Sequence, residues 1–211
     1  MVPNAIPTKL PFCLSPRLMH MVKTITEALE YYSSREQEIR SFGGAILKER
    51  VNPLVGLDQV VRGLGLSRSY TDFVSQYQVE GVSLGFFDLC PGDNVSVLDS
   101  LRELNGQFQN PLLPDNLVNV ASFEADVIGI AKASPYHGDG SVYFVDITTA
   151  PGARVRPLAS TFENFIVLAS ALDKIVVEET DNPTSAIVEL ALEVGADDYA
   201  ESWRHIAGMV A

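Results

Sequence analysis

The stretch LVNVASFEADVIGIAKA, residues 117–133, decides the fold of this chain. Its first part, 118–123, alternates apolar with small or polar residues, which is the pattern of a half-buried β-strand. A second strand is predicted over 127–133, and the run VYFVDI at 142–147 is the strongest strand pattern in the sequence. The Asp-Gly pair at 139–140 favours a tight turn before that run. Together these patterns predict an antiparallel meander.

Shorter strands are predicted on both sides of this segment. One covers 83–89 and ends at Pro91-Gly92, and the other covers 153–158 after a turn at Pro151-Gly152. By alternation along its strand, Asp146 is expected on the solvent face of the sheet.

Helical periodicity precedes the strands. After a loose arm over 1–14, a helix is expected to begin at Ser15-Pro16 and to end by Gly43-Gly44. Shorter helices are predicted over 58–62 and 70–77 and around Leu98-Leu101-Leu104, the last with Asp93 or Asn94 as its N-cap.

Helical patterns also follow the strands. Ser160 and Glu163 have the spacing of a capping box, Asn182-Pro183 starts a second helix, and Asp197-Asp198 lies at the start of a last one. The order of helices, strands and helices predicts the α+β class, with an antiparallel sheet of about four to six strands flanked by N-terminal and C-terminal helices. We expect residues 15–211 to form one domain.

The charge balance limits the classes of partner. The chain has 15 Lys and Arg against 27 Asp and Glu, a formal net charge of −12. Such a chain repels nucleic acids and anionic membranes and attracts basic proteins. The last part, 161–211, has only Lys174 and Arg204 against ten acids, so a basic partner is expected to approach there. Those acids are Glu163, Asp173, Glu178, Glu179, Asp181, Glu189, Glu193, Asp197, Asp198 and Glu201.

Hydropathy and cysteine use indicate a cytoplasmic protein. The best apolar run, 164–172, is much shorter than the ~20 residues of a membrane-spanning helix. Cys13 and Cys90 form neither a disulfide framework nor a CxxC metal motif, so both are expected to be reduced thiols.

The sequence predicts no catalytic residue, cofactor or metal site. Phosphate-binding, nucleophile-elbow and zinc-binding motifs are all absent. His137 lies beside Asp139, but a turn explains this pair better than a catalytic base does. Cys90 lies between acidic residues, which would raise the pKa of its thiol and weaken it as a nucleophile. A deep polar pocket around His137 or Asp146 would instead indicate an enzyme.

Several short motifs, in order, resemble those of the SUKH superfamily. The helix bearing Tyr70 and Phe73 leads to a glycine and a strand, as the family's Tyr-x-x-Phe helix does. Phe123-Glu124-Ala125-Asp126, Gly129 and the run GSVYFVD at 140–146 are similar to its central hairpin, and LASTFENF at 158–165 is similar to the start of its following helix. The resemblance covers residues 60–175.

The chain also departs from the family pattern. Leu66-Ser67 stands where the family commonly has Leu-Pro, and the Asn-Gly-Gly that often follows the tyrosine helix is absent. The N-terminal region is longer, and residues 176–211 add acidic helices. These departures leave the subfamily open.

The resemblance implies a binding function without catalysis. Many bacterial SUKH proteins are immunity proteins that block a cognate polymorphic toxin, often a nuclease or a nucleic-acid deaminase. Fungal members of the Smi/Knr type regulate cell-wall assembly through protein contacts. We therefore predict an immunity protein, or antitoxin, whose partner is a basic toxin domain and which occludes the active site of that toxin. The alternative is a regulatory protein–protein interaction module of the cell-wall-assembly-regulator type.

The predicted toxin-binding surface lies in the acidic C-terminal region. It consists of Glu178, Glu179, Asp181, Glu189 and Glu193. The competing interpretation is that these residues are ordinary solvated helix faces. Contact with the toxin beside its cleft fits the sequence equally well.

Overall fold

The computed structural model describes residues 21–91, 96–106, 109–133, 140–148, 154–194 and 196–210. The chain has an α+β fold, as the order of patterns predicts, and its described residues form a six-stranded antiparallel sheet, within the expected four to six strands, and a separate two-stranded ladder. The predicted arm over 1–14, the Ser15-Pro16 helix start, His137 and the Pro151-Gly152 turn lie outside the described residues. The expectation of one helix from there to Gly43-Gly44 is wrong, because Thr24 is the N-cap of a helix that begins at Ile25 and a second helix begins after Arg35.

Six strands form the main sheet, and each strand pairs antiparallel with its sequence neighbour. A separate two-stranded ladder pairs β1 with β2. The strands are β1 (Lys48–Glu49), β2 (Tyr77–Gln78), β3 (Ser83–Leu84), β4 (Phe87–Asp88), β5 (Leu117–Phe123), β6 (Asp126–Ala131), β7 (Val142–Asp146) and β8 (Arg154–Ala159).

The prediction of one strand over 83–89 is wrong, because the chain turns back at Gly85. Ser83 pairs with Asp88 and Leu84 with Phe87, which leaves a two-residue hairpin loop. Gly85 has φ +62, a backbone conformation that glycine adopts without steric cost. A Cβ atom there would also lie 2.9 Å from Asp173 Oδ1, so the position excludes larger residues for two reasons.

The central strands are buried on both faces, so the prediction of a half-buried strand is wrong for β5. Val118, Val120, Ala121 and Phe123 join the main core, whereas Leu117 joins a small apolar cluster on the other face. The expected exposure of Asp146 is also wrong. Asp146 is buried, and its carboxylate accepts a hydrogen bond from the Thr148 N–H at 3.2 Å.

Helices precede and follow the strands in the sequence, and three of them lie between strands. They are α1 (Ile25–Ser34), α2 (Glu36–Ser41), α3 (Leu57–Leu64), α4 (Arg68–Gln76), α5 (Val97–Leu104), α6 (Phe162–Val177), α7 (Pro183–Glu193) and α8 (Ala200–Val210), with a 3-10 turn at Asp197–Tyr199.

Capping residues set where these helices begin. Asn182 caps α7 as predicted, and its side chain accepts a hydrogen bond from the Ser185 N–H at 3.0 Å. The capping box at Ser160 is wrong, since Thr161 is the N-cap of α6. Ser96, rather than Asp93 or Asn94, caps α5, because its hydroxyl accepts from the Leu98 N–H.

The motifs that carry the resemblance meet in the core. The Tyr70 and Phe73 rings of α4 lie 4.8 and 5.2 Å from the ring of Phe162, the first residue of α6. On the sheet, the Phe123 and Phe144 rings lie 5.7 Å apart. These motif residues are therefore packing residues: Tyr70, Phe73 and Phe162 hold α4 against α6, and Phe123 packs against Phe144 on the sheet.

A mostly buried ion pair lies beside the small ladder, and its arginine also contacts α4. Arg50 Nη2 lies 2.9 Å from Glu80 Oε2, and Arg50 Nε donates to the carbonyl oxygen of Val74 at 2.8 Å. Burial raises the pKa of the Glu80 carboxyl, but hydrogen bonds from Arg50 and from the Val79 N–H outweigh it, so the net pKa lies below its usual range.

We expect Glu80→Gln to lower the free energy of unfolding by about 1–2 kcal/mol at pH 7. The folded-state pKa of Glu80 is lowered, so the ionised side chain stabilises the folded state. This contribution to the free energy of unfolding is complete above the ordinary glutamate pKa of about 4.3 and is lost as the pH falls through the folded-state pKa. Urea titrations between pH 3 and pH 7 should show the two proteins converging at low pH. A difference that does not depend on pH would contradict this assignment.

Candidate functional site

The five predicted toxin-binding residues lie at the end of α6, in the turn after it and on α7. We call them the acidic C-terminal surface: Glu178, Glu179, Asp181, Glu189 and Glu193. Glu178 is the C-cap of α6, and Glu179 and Asp181 follow it in the turn. Glu189 and Glu193 lie on α7. All five side chains are exposed, so they are accessible to a partner.

Two members of this surface are paired within the chain. Glu193 forms an ion pair with Lys23, just before α1, and Glu178 lies 3.7 Å from Lys174 Nζ, one helical turn back on α6. None of the ion pairs formed among the described residues involves Glu179, Asp181 or Glu189. These three carboxylates can therefore meet an external cation without first breaking an internal pair.

Asp173 does not belong to the solvent-facing acids of this region. Its side chain is only 10% exposed, and Oδ2 lies 3.2 Å from the Arg35 Nη1 atom. The same oxygen accepts hydrogen bonds from the Tyr31 and Tyr32 hydroxyls, each at 3.2 Å. Burial raises the pKa of the Asp173 carboxyl in spite of the opposing effect of Arg35. Asp173 therefore attaches α1 to α6 instead of binding a partner.

This cluster lies beside a cleft between α1 and the end of α6. The cleft has a volume of about 420 Å³, and Glu178 of the acidic C-terminal surface lines it. The other lining residues are Met21, Val22, Glu27, Glu30, Tyr31, Ser34, Arg35, Lys174 and Val177. The cleft continues the acidic C-terminal surface onto α1.

Sequence reasoning missed the residues from α1 at this site. The available signal was an acid, Asp173, on a helix whose neighbouring positions are almost all apolar. A carboxylate on a buried helix face requires a partner, and this requirement predicts a cation or hydroxyls from another element. It does not say which element supplies them.

The residues considered for catalysis lie apart from this surface. Burial raises the pKa of the Cys90 thiol, a hydrogen bond with Ser100 opposes this, and Glu80 raises the pKa further. Asp146 does not line the α1–α6 cleft. Among the described residues, no group of three or more His, Cys, Asp or Glu side chains could hold a metal ion.

Comparisons with known proteins leave the family undetermined. No family model matches this chain, no curated protein is significantly similar to it, and no solved structure matches its fold. Within the part of the chain that the structure describes, no helix has the length and apolarity needed to cross a bilayer.

Proposed function

We propose that this protein is a SUKH-type immunity protein that binds a basic toxin domain in the cytoplasm and occludes its active site. The motifs that resemble the SUKH superfamily supply the class of partner. The observation that carries the proposal is the group of exposed carboxylates from the end of α6 to the end of α7, of which Glu179, Asp181 and Glu189 have no described ion pair.

Electrostatics favour a nucleic-acid-targeting toxin as the partner. An enzyme that grips phosphates needs Lys and Arg in its cleft, and carboxylates placed there compete with the substrate. The net charge of −12 would also steer a basic domain toward the protein and speed their encounter at low salt. Fast capture suits an inhibitor that must act before the toxin reaches its substrate.

The test is an affinity capture from the protein's own cells in low-salt buffer, with mass spectrometry of the retained proteins. We expect one basic toxin domain in stoichiometric amount. Housekeeping proteins in place of a toxin would contradict immunity and favour the regulatory interaction module.

We expect the triple variant Glu179→Gln, Asp181→Asn, Glu189→Gln to bind the captured domain at least tenfold more weakly in low salt. The reason is that it removes three unpaired charges and leaves the Lys174–Glu178 and Lys23–Glu193 pairs in place. Calorimetric titration of the purified toxin domain measures the change.

A matched control separates this surface from net charge alone. Asp58→Asn, Asp115→Asn, Glu124→Gln changes the charge by the same amount at three exposed positions outside 161–211. We expect the control to keep most of the affinity. If both triple variants lose the same affinity, net charge and not the location of the acids determines binding. If the Glu179, Asp181 and Glu189 variant keeps its full affinity, the interface lies elsewhere.

A further inference from the structure

A second cleft lies between α4 and the beginning of α6, which we call the α4–α6 cleft. Its volume is about 450 Å³, at the lower end of the ~300–1,000 Å³ range of small-molecule sites. It is lined by Ser69, Asp72, Phe73, Gln76, Tyr77, Thr161, Glu163 and Asn164. It shares no residue with the acidic C-terminal surface.

The two walls of the α4–α6 cleft are fixed by the core. The Ser69 hydroxyl accepts a hydrogen bond from the Phe162 N–H at 2.8 Å, which joins the two helices across the chain. The Phe73 ring packs against Phe162 at 5.2 Å. The cleft is therefore preformed, and a ligand would lose little free energy to reorganisation.

Hydrogen bonding at the start of α6 argues against an anion in this cleft. The first N–H of the helix, that of Phe162, is taken by Ser69 Oγ, and the Asn164 N–H donates to Thr161 Oγ1 at 3.1 Å. Glu163 adds a carboxylate to the same first turn. An anionic ligand would thus meet filled donors and a like charge.

The ionisable lining is acidic throughout. Asp72 and Glu163 are exposed, neither takes part in an ion pair among the described residues, and the lining contains no Lys, Arg or His. Burial raises the pKa of the Tyr77 hydroxyl, and the negative charges of Glu163 and Glu49 raise it further. Two uncompensated carboxylates at one cleft favour a cation.

The rest of the lining suits a cation with an apolar stem. The Phe73 and Tyr77 rings lie 4.7 Å apart and supply aromatic surface, while Ser69, Gln76 and Asn164 supply hydrogen-bonding groups. Long basic side chains bury their methylene stems against apolar surface and keep their charged heads among polar groups. The volume holds one such side chain and is too small for a helix.

We propose that the α4–α6 cleft binds the guanidinium or ammonium head of an arginine or lysine side chain from a basic protein partner. The source of the cation rests on the proposed function, whereas binding of the cation itself follows from the cleft alone. The cleft then adds a second contact to the one at the acidic C-terminal surface.

The test uses ethylguanidinium chloride as a probe in a low-salt titration followed by amide chemical shifts. We expect saturable shifts in 69–77 and 161–164 with a dissociation constant in the millimolar range, and no such shifts with potassium chloride at the same ionic strength. Asp72→Asn, Glu163→Gln should weaken binding at least tenfold, while the equally charged control Asp58→Asn, Glu124→Gln should not. Thermal unfolding checks that each variant is folded.

Each outcome separates the two proposals. Absence of saturable shifts, or equal binding by both double variants, overturns the cleft as a cation site and leaves the toxin proposal standing. If a neutral methyl glucoside binds as tightly as ethylguanidinium, the cleft is a polyol site, and this result also overturns the proposed cation site. If the protein binds ethylguanidinium but the affinity capture retains no toxin, the cleft is a cation site, and the arginine or lysine that it binds does not come from a toxin.

Discussion

Replacing Trp203 by alanine is expected to lower the free energy of unfolding by about 4 kcal/mol. The Trp203 side chain is fully buried on α8, and its Nε1–H donates to the carbonyl oxygen of Leu158 on β8 at 2.8 Å. The ring also contacts Phe87 of β4 and Phe165 of α6, with centroids 5.9 and 6.4 Å away. Alanine would leave a cavity where α6, α8 and the sheet meet, together with an unpaired carbonyl.

Urea unfolding followed by circular dichroism measures this loss. Trp203→Phe keeps an aromatic ring and loses the donor to Leu158, so we expect about half of the effect. Leu192→Ala, at a half-exposed position on α7, should change the free energy by less than about 0.5 kcal/mol. A loss below about 1 kcal/mol for Trp203→Ala would mean that α8 contributes little to the core.

Asp173→Ala is the second large effect, and we expect it to lower the free energy of unfolding by about 3 kcal/mol. The substitution leaves the Arg35 guanidinium, whose side chain is 20% exposed, without its buried partner. It also removes the common acceptor of the Tyr31 and Tyr32 hydroxyls. Since these groups fix α1 on α6, the loss should appear first as detachment of α1.

Hydrogen exchange of the α1 amides and urea unfolding measure the two parts of this prediction. Asp173→Asn keeps an acceptor and removes the charge, so its effect should be smaller. A double-mutant cycle with Arg35→Met should give a coupling energy of at least about 1 kcal/mol. A coupling near zero would mean that the Arg35–Asp173 contact is not what holds α1. Glu38→Ala, which removes only the exposed partner of Arg35, is the matched control and should change little.

The local patterns that succeeded depend on neighbours in the sequence. The run VYFVDI placed β7, the helical face of Tyr70 and Phe73 placed α4, and Asn182-Pro183 placed the start of α7. Each follows from backbone geometry over a few residues, which the chain carries wherever it packs. Local errors of one residue, as at Thr161, reflect competition between adjacent capping side chains.

The candidate sites were predictable only in part, for the same reason. Charge content predicted an acidic C-terminal surface, and five exposed carboxylates are found there. Sequence could not show that Lys23 pairs with Glu193, or that Asp72 and Glu163 line one cleft, because 170 and 91 positions separate the members of these pairs.

The sequence by itself determined the α+β class, the strands of the central meander and the acidic character of the C-terminal region. Only the tertiary structure decided that Asp146 and Asp173 are buried, that β5 is covered on both faces, and that the chain reverses at Gly85. Burial depends on what packs against a side chain, and those groups come from distant parts of the chain. A periodic pattern shows which face of an element is apolar, but it does not show which groups pack against the opposite face.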